Sequence, residues 1–354
     1  MRYDVMRPTV PAPHEPCRYG NESRPTIIRA SYERRQRRER AFVVSVLLLL
    51  VGACGGTVED APAAAGAESE AFVPPRDSDI LIADLSTSAS GLPTIGAPVN
   101  ITQRPDYDNQ PHFTPDGSGL WYTANDAQSG QSDIWRYDFA SGRVTRITQS
   151  APESEYSATP LPDGSGISTI RVEADSTQRL WRFSPDGLNA SVILPDVAPV
   201  GYHAWVDEST LVMFVLGSPP TLQVGDVRTG RARTVTRDIG RSIQKIPGTF
   251  DISYVQREGS DATTIMRLPG DGGDPEPIAE GVSGGDFHTW TPDRVLLMAE
   301  GPRVFARPFD ASAEWTEIAD FSDLRINLSR LAVSPDGSQI ALVAELDVLD
   351  LPSN

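Results

Sequence analysis

The chain has 354 residues, with 31 basic and 48 acidic side chains and a net charge of −17. Residues 1–54 carry 10 arginines and 5 acids, which leaves 21 basic and 43 acidic residues downstream, a net of −22. A surface that acidic repels phosphate backbones and excludes nucleic acid as a partner, while metal cations and basic protein patches remain open to it.

In chain order, residues 1–33 show no helical or strand period and read as an unstructured extension or a misassigned start. The basic cluster Arg34-Arg35-Gln36-Arg37-Arg38-Glu39-Arg40 follows, then an apolar run over residues 41–51, then Gly52-Ala53-Cys54-Gly55-Gly56. A basic stretch, a short apolar run and small residues at a cut site define a secretory signal peptide over residues 34–54. The apolar run is too short for a permanent span. Val51-Gly52-Ala53-Cys54 resembles the lipobox of bacterial lipoproteins, which implies lipidation of Cys54 and loss of everything before it. Several acyl chains hold a protein stably at a membrane. Gly55, rather than Asp, follows the cysteine, so the resemblance implies the periplasmic face of an outer membrane. Residues 55–76, rich in Ala, Gly, Pro and Glu, read as a flexible tether. Cys17 and Cys54 are the only cysteines, and neither lies beyond the tether, so the fold must rest on its apolar core.

From residue 77 the chain is periodic. His112-Phe113-Thr114-Pro115-Asp116-Gly117 precedes the apolar run Leu120-Trp121-Tyr122, and five equivalents follow. With Pro115, Pro162, Val206, Pro247, Pro292 and Pro335 as markers, the intervals are 47, 44, 41, 45 and 43 residues. A unit of roughly 40–50 residues fits one four-stranded propeller blade. Pro-Asp-Gly suits the turn: proline presets φ, aspartate bonds the backbone ahead, and glycine accepts positive φ. Pro185-Asp186-Gly187 falls out of phase and reads as a second hairpin of one blade. Period-two runs supply further strands, such as Asp133-Ile134-Trp135-Arg136-Tyr137-Asp138 and Leu222-Gln223-Val224-Gly225-Asp226. The sixth unit has only two strands. Two unassigned strands upstream, residues 80–85 and 99–102, complete it and close the ring, which removes an open sheet edge. The expected fold is therefore all-β: a six-bladed β-propeller over residues 77–345, four antiparallel strands per blade, followed by a tail at 346–354.

Thr114-Pro115-Asp116-Gly117, Ser334-Pro335-Asp336-Gly337, Asp133-Ile134-Trp135 and Arg146-Ile147-Thr148 resemble the repeat of the TolB propeller family. The resemblance covers roughly residues 79–345 and implies the fold. In TolB an α/β domain stands ahead of the propeller, where this chain has the tether.

Loops on a rigid scaffold carry function, so the segments leading into each innermost strand are the ones to read. They offer Asp106, Asp108, Tyr202, Arg241, Asp286 and Arg325 as candidate ligand-binding residues at a channel mouth. Arg241, Arg325 and Arg330 are of a type that engages carboxylate or phosphate through paired hydrogen bonds. His112, His203 and His288 lie in the innermost strands, two of them in the pattern His203-Ala204-Trp205 and His288-Thr289-Trp290. With Asp106, Asp108 or Asp286 they are candidate ligands for a divalent cation; otherwise each satisfies backbone groups beside the core. No nucleophile elbow, H-E-x-x-H helix, G-x-G-x-x-G turn or P-loop is read in the chain. The expected function is a non-enzymatic envelope lipoprotein, monomeric, without a firm cofactor, that binds a protein, peptide or glycan. The alternative is a metal-dependent enzyme with its centre on the channel.

Overall fold

Each marker turn closes a hairpin through its own side chains. In the first, Thr114 Oγ1 donates to Asp116 Oδ1 at 2.6 Å, the Ser118 N–H donates to the same oxygen at 3.1 Å, and Gly117 takes a φ of 68°. Those hydrogen bonds hold the Asp116 carboxyl down at about 2. Ser334, Asp336 and Ser338 repeat the arrangement at the last marker, and Ser184 with Asp186 repeats it at the out-of-phase hairpin.

The computed structural model describes residues 77–346, apart from 127–128, 260–261, 283–284 and 311. The expected extension, signal peptide with Cys54 and tether lie outside the described residues, as does the tail beyond Leu346. The described residues form six antiparallel sheets in the strand order of propeller blades, with one 3-10 turn at Ser322–Leu324. The fold is a six-bladed β-propeller. No described helix is long and apolar enough to cross a membrane.

The inner strands of blades one to six are Asp108–Phe113, Ser154–Pro160, Val200–Trp205, Ile239–Lys245, His288–Trp290 and Ile326–Val333. Blade six closes two plus two. Its second strand, Gln339–Leu346, pairs antiparallel with Ser78–Thr87, placing Ile80 opposite Val343 and Asp84 opposite Gln339. The outer strand differs from expectation. Of residues 99–102, Val99–Asn100 form the ladder opposite Ile82 and Leu81, the Ile101 N–H donates to the Ile80 carbonyl at 2.9 Å, and a separate piece, Pro93–Ile95, pairs with residues 85–87. Gly96-Ala97-Pro98 lies between the two pieces, and a proline has no N–H to continue a ladder.

The core lies between blades. Second strands are apolar on both faces, as buried strands are. Leu211, Met213 and Val215 pack toward blade two with Ile170 and Leu180, while Val212 and Phe214 pack toward blade four with Ile252 and Tyr254. The other four joints between neighbouring blades each hold a cluster of their own.

Candidate functional site

Three residues before the end of each inner strand stand Gln110, Ser157, Tyr202, Ser242, Phe287 and Arg330. One equivalent position from each blade thus forms a ring about the axis. The ladder to the second strand loosens at this level. It shifts register between Asn109 and His112, Tyr156 and Thr159, Val200 and Tyr202, Ile239 and Ile243, and Leu328 and Arg330. Such bulges re-aim side chains. Gln110 and Ser157 take φ values of 56° and 55° inside them.

The ring is bridged from one side to the other. Arg330 of blade six donates from Nη2 to Tyr202 Oη of blade three, the opposite blade, at 2.8 Å. Its guanidinium carbon lies 3.8 Å from the Phe287 ring centroid and 5.0 Å from that of Tyr202. Tyr202 also packs edge-on to Phe214 at 5.8 Å and to Phe287 at 6.2 Å. On the other side of the ring, Gln110 Oε1 accepts from Thr123 Oγ1 and from the Ser157 N–H, both at 2.8 Å.

The remaining sequence-predicted residues are distributed around this ring. Asp106, with φ of 99°, accepts the Ser78 N–H on its carbonyl at 3.2 Å. Asp108 is fully buried and takes both Nε (3.0 Å) and Nη2 (2.6 Å) of Arg104 on one oxygen. Burial outweighs that guanidinium and raises the Asp108 carboxyl to about 7. Asp286 accepts from Arg257 at 3.1 Å and lies against Gly240, where a Cβ would stand 2.4 Å from Asp286 Oδ1. Arg241 and Arg325 are exposed, the latter in the left-handed region after the 3-10 turn.

The histidines stand one or two positions past the ring. His203 Nε2 lies 2.6 Å from Ser168 Oγ, which also accepts from Trp205 Nε1 at 2.9 Å and donates to the Thr159 carbonyl at 3.2 Å. His288, Trp290, Ser253 and the Gln244 carbonyl repeat this at 2.7, 2.8 and 3.2 Å. A serine hydroxyl has one hydrogen to donate, so each imidazole supplies the N–H at Nε2 and keeps Nδ1 unprotonated. Burial lowers both imidazoles to about 3. His112, whose Nδ1 lies 2.8 Å from the Phe113 carbonyl, is lowered by the same cause. The three histidines are not gathered to one centre: among the described residues no group of three His, Cys, Asp or Glu stands ready for a metal ion.

One reaction pattern does occur in the sequence. Gly281-Val282-Ser283-Gly284-Gly285 has the G-x-S-x-G spacing. A nucleophile elbow needs a strand, a sharp turn and a helix. This stretch instead joins outer strand Glu276–Glu280 to inner strand His288–Trp290, and Ser283 lies outside the described residues.

Sequence reasoning passed over Arg104, Arg257 and the paired serines. Ser168 and Ser253 each lie 35 residues before their histidine, an offset readable in the sequence.

No family model and no curated protein matches the chain. Solved propellers are similar to it. A putative TolB from Agrobacterium tumefaciens is 16% identical with a TM-score of 0.58, over 77% of this chain and 100% of that one. A chain of a nidogen–laminin complex gives 14% and 0.53 over 69% and 93%. TolB from Acinetobacter baumannii gives 14% and 0.50 over 76% of this chain and 64% of that one. The protein is a six-bladed β-propeller, similar in fold to these TolB structures.

Proposed function

We propose that this chain is a cell-envelope lipoprotein, anchored through Cys54, whose propeller binds an envelope protein, peptide or glycan on its mouth face and catalyses no reaction of its own. The observation that carries the reading is the Tyr202–Arg330 bond from blade to opposite blade. A channel bridged at that level offers a partner a surface rather than an enclosed chamber. One cleft, of about 250 Å³, lies off the axis between blades two and three, lined by Leu161, Ile193 and Trp205. The basic and apolar stretches at residues 34–54 support the envelope address, and the TolB-like fold agrees with it.

A photoreactive residue placed at exposed Arg241 or Arg325 tests the binding face, with exposed Leu188 on the opposite face as control. Adducts in the envelope fraction are expected from the first two positions only. Absence of adducts there, with the purified protein turning over an ester or a sugar, overturns the reading. The anchor is tested apart from it: Cys54→Ser should move the protein from the membrane to the soluble fraction, and retention at the membrane sinks that part.

A further inference from the structure

The described ion pairs engage Arg104, Arg136, Arg146, Arg171, Arg179, Arg228, Arg257, Arg267 and Arg303. Arg330 is half-buried at the axis and has no carboxylate within ion-pair distance among the described residues. In a chain with 48 acidic and 31 basic residues this needs a reason. A cation partly removed from water and left without a counter-ion is costly, and the cost favours whatever anion can reach it.

The surroundings orient this cation. Phe287 and Tyr202 present ring faces to the guanidinium, at 3.8 and 5.0 Å. A guanidinium donates only in its own plane, so stacking holds it without using its N–H groups. One N–H goes to Tyr202 Oη. In the neighbouring blade, Gln110 has committed Oε1 to Thr123 and Ser157, which leaves its Nε2 as a neutral donor at the same ring level. The ring thus combines a planar cation, an amide donor and two aromatic faces.

We propose that Arg330 is the docking point for a carboxylate of a bound peptide, with Tyr202 and Phe287 packing against the apolar part of the adjoining residue. This rests on the mouth face being a binding face. A carboxylate fits the fork of an arginine through two parallel hydrogen bonds. The net charge of −22 beyond residue 54 repels a doubly charged phosphate more than a single carboxylate. A chain-terminal carboxylate on an otherwise neutral or basic segment suits the surface better than an acidic side-chain cluster.

The test follows the Arg330 Nε–H resonance by NMR in the purified propeller. The probes are N-acetylalanine for a terminal carboxylate, N-acetylaspartate diamide for a side-chain carboxylate, and N-acetylalanine amide as the neutral control. Saturable shifts with either acid and none with the amide are expected, N-acetylalanine being the tighter. Arg330→Gln should weaken binding about tenfold or more, and Tyr202→Phe, which keeps the ring and frees the N–H, by only a few-fold. Equal shifts with the amide, no shift with either acid, or undiminished binding by Arg330→Gln overturns the proposal. If Arg330→Gln fails to fold, the wild-type titrations and Tyr202→Phe decide it. Failure here with crosslinks still forming from Arg241 and Arg325 leaves the binding face standing and removes only the carboxylate.

Discussion

Blades three and five hold to their neighbours differently from the way blades six and one hold themselves together. At the joints between blades two and three, and four and five, a histidine and a tryptophan from one blade share a serine hydroxyl of the blade before. In blades six and one the tie is internal. Thr102 Oγ1 donates to Asp79 and accepts the Ile80 N–H, and Thr148 Oγ1 does the same for Asp133 and Ile134. The first device binds blade to blade at the core, and the second pins an outer strand to its own sheet. One repeat therefore carries two solutions to the same demand, that no buried polar group be left alone. Asp79 and Asp133 both have carboxyls raised by burial, which marks the tension in the second solution.

The contrast can be broken by substitution. Trp290→Ala removes the latch and its apolar bulk together, and should lower unfolding free energy by about 3–5 kcal/mol in denaturant titration. Ser253→Ala keeps the bulk but strands the Trp290 and His288 donors, costing about 1–3 kcal/mol. Thr148→Val strands the Ile134 N–H on the side of its strand that faces the edge strand Val144–Arg146, and about 1 kcal/mol is expected. A Ser253→Ala cost no larger than an exposed-site change would show the hydroxyl to be incidental. Arg228→Ala, which removes the exposed partner of Asp226 and leaves that carboxylate's turn hydrogen bonds in place, should change stability by less than about 0.5 kcal/mol.

Acidity sharpens the same comparison. His203 and His288 have folded values near 3, against about 6.5 for an unfolded chain, so the unfolded state binds more protons between those limits. Their contribution is full above about pH 6.5 and is lost as pH falls. Asp108 runs the other way. Its folded value near 7 lies above the ordinary carboxylate value, so its contribution is present in acid and lost as pH rises through 7. Thermal melts should show a fall below pH 6 that shrinks in His288→Gln, and Asp108→Asn should help more at pH 8 than at pH 5. Identical profiles in wild type and variants would contradict both assignments.

Much of this was legible in the chain. The markers gave the blade count because each turn needs proline, aspartate and glycine in a fixed order. The closure was legible because two strands were left over at one end and two were missing at the other. Pro93–Ile95 was not legible: three residues with a proline carry no alternation to read. The histidines were visible as a repeated pattern, but not their role, because an imidazole beside an unseen serine reads the same as one awaiting a metal. Arg330 could be singled out by type alone. What makes it unusual, two aromatic faces and no acid, is contributed by blades three and five, and no local stretch contains it.

Blade six also fixes where the chain ends emerge. Ser78 lies opposite Glu345 and beside Tyr107, so the first and last described residues leave on the side where inner strands begin, next to Arg325. A reporter domain fused after Leu346 would hang over the ring of Gln110 and Arg330 and shade it. The same domain inserted at Ser141-Gly142, on the far side, would leave the mouth clear.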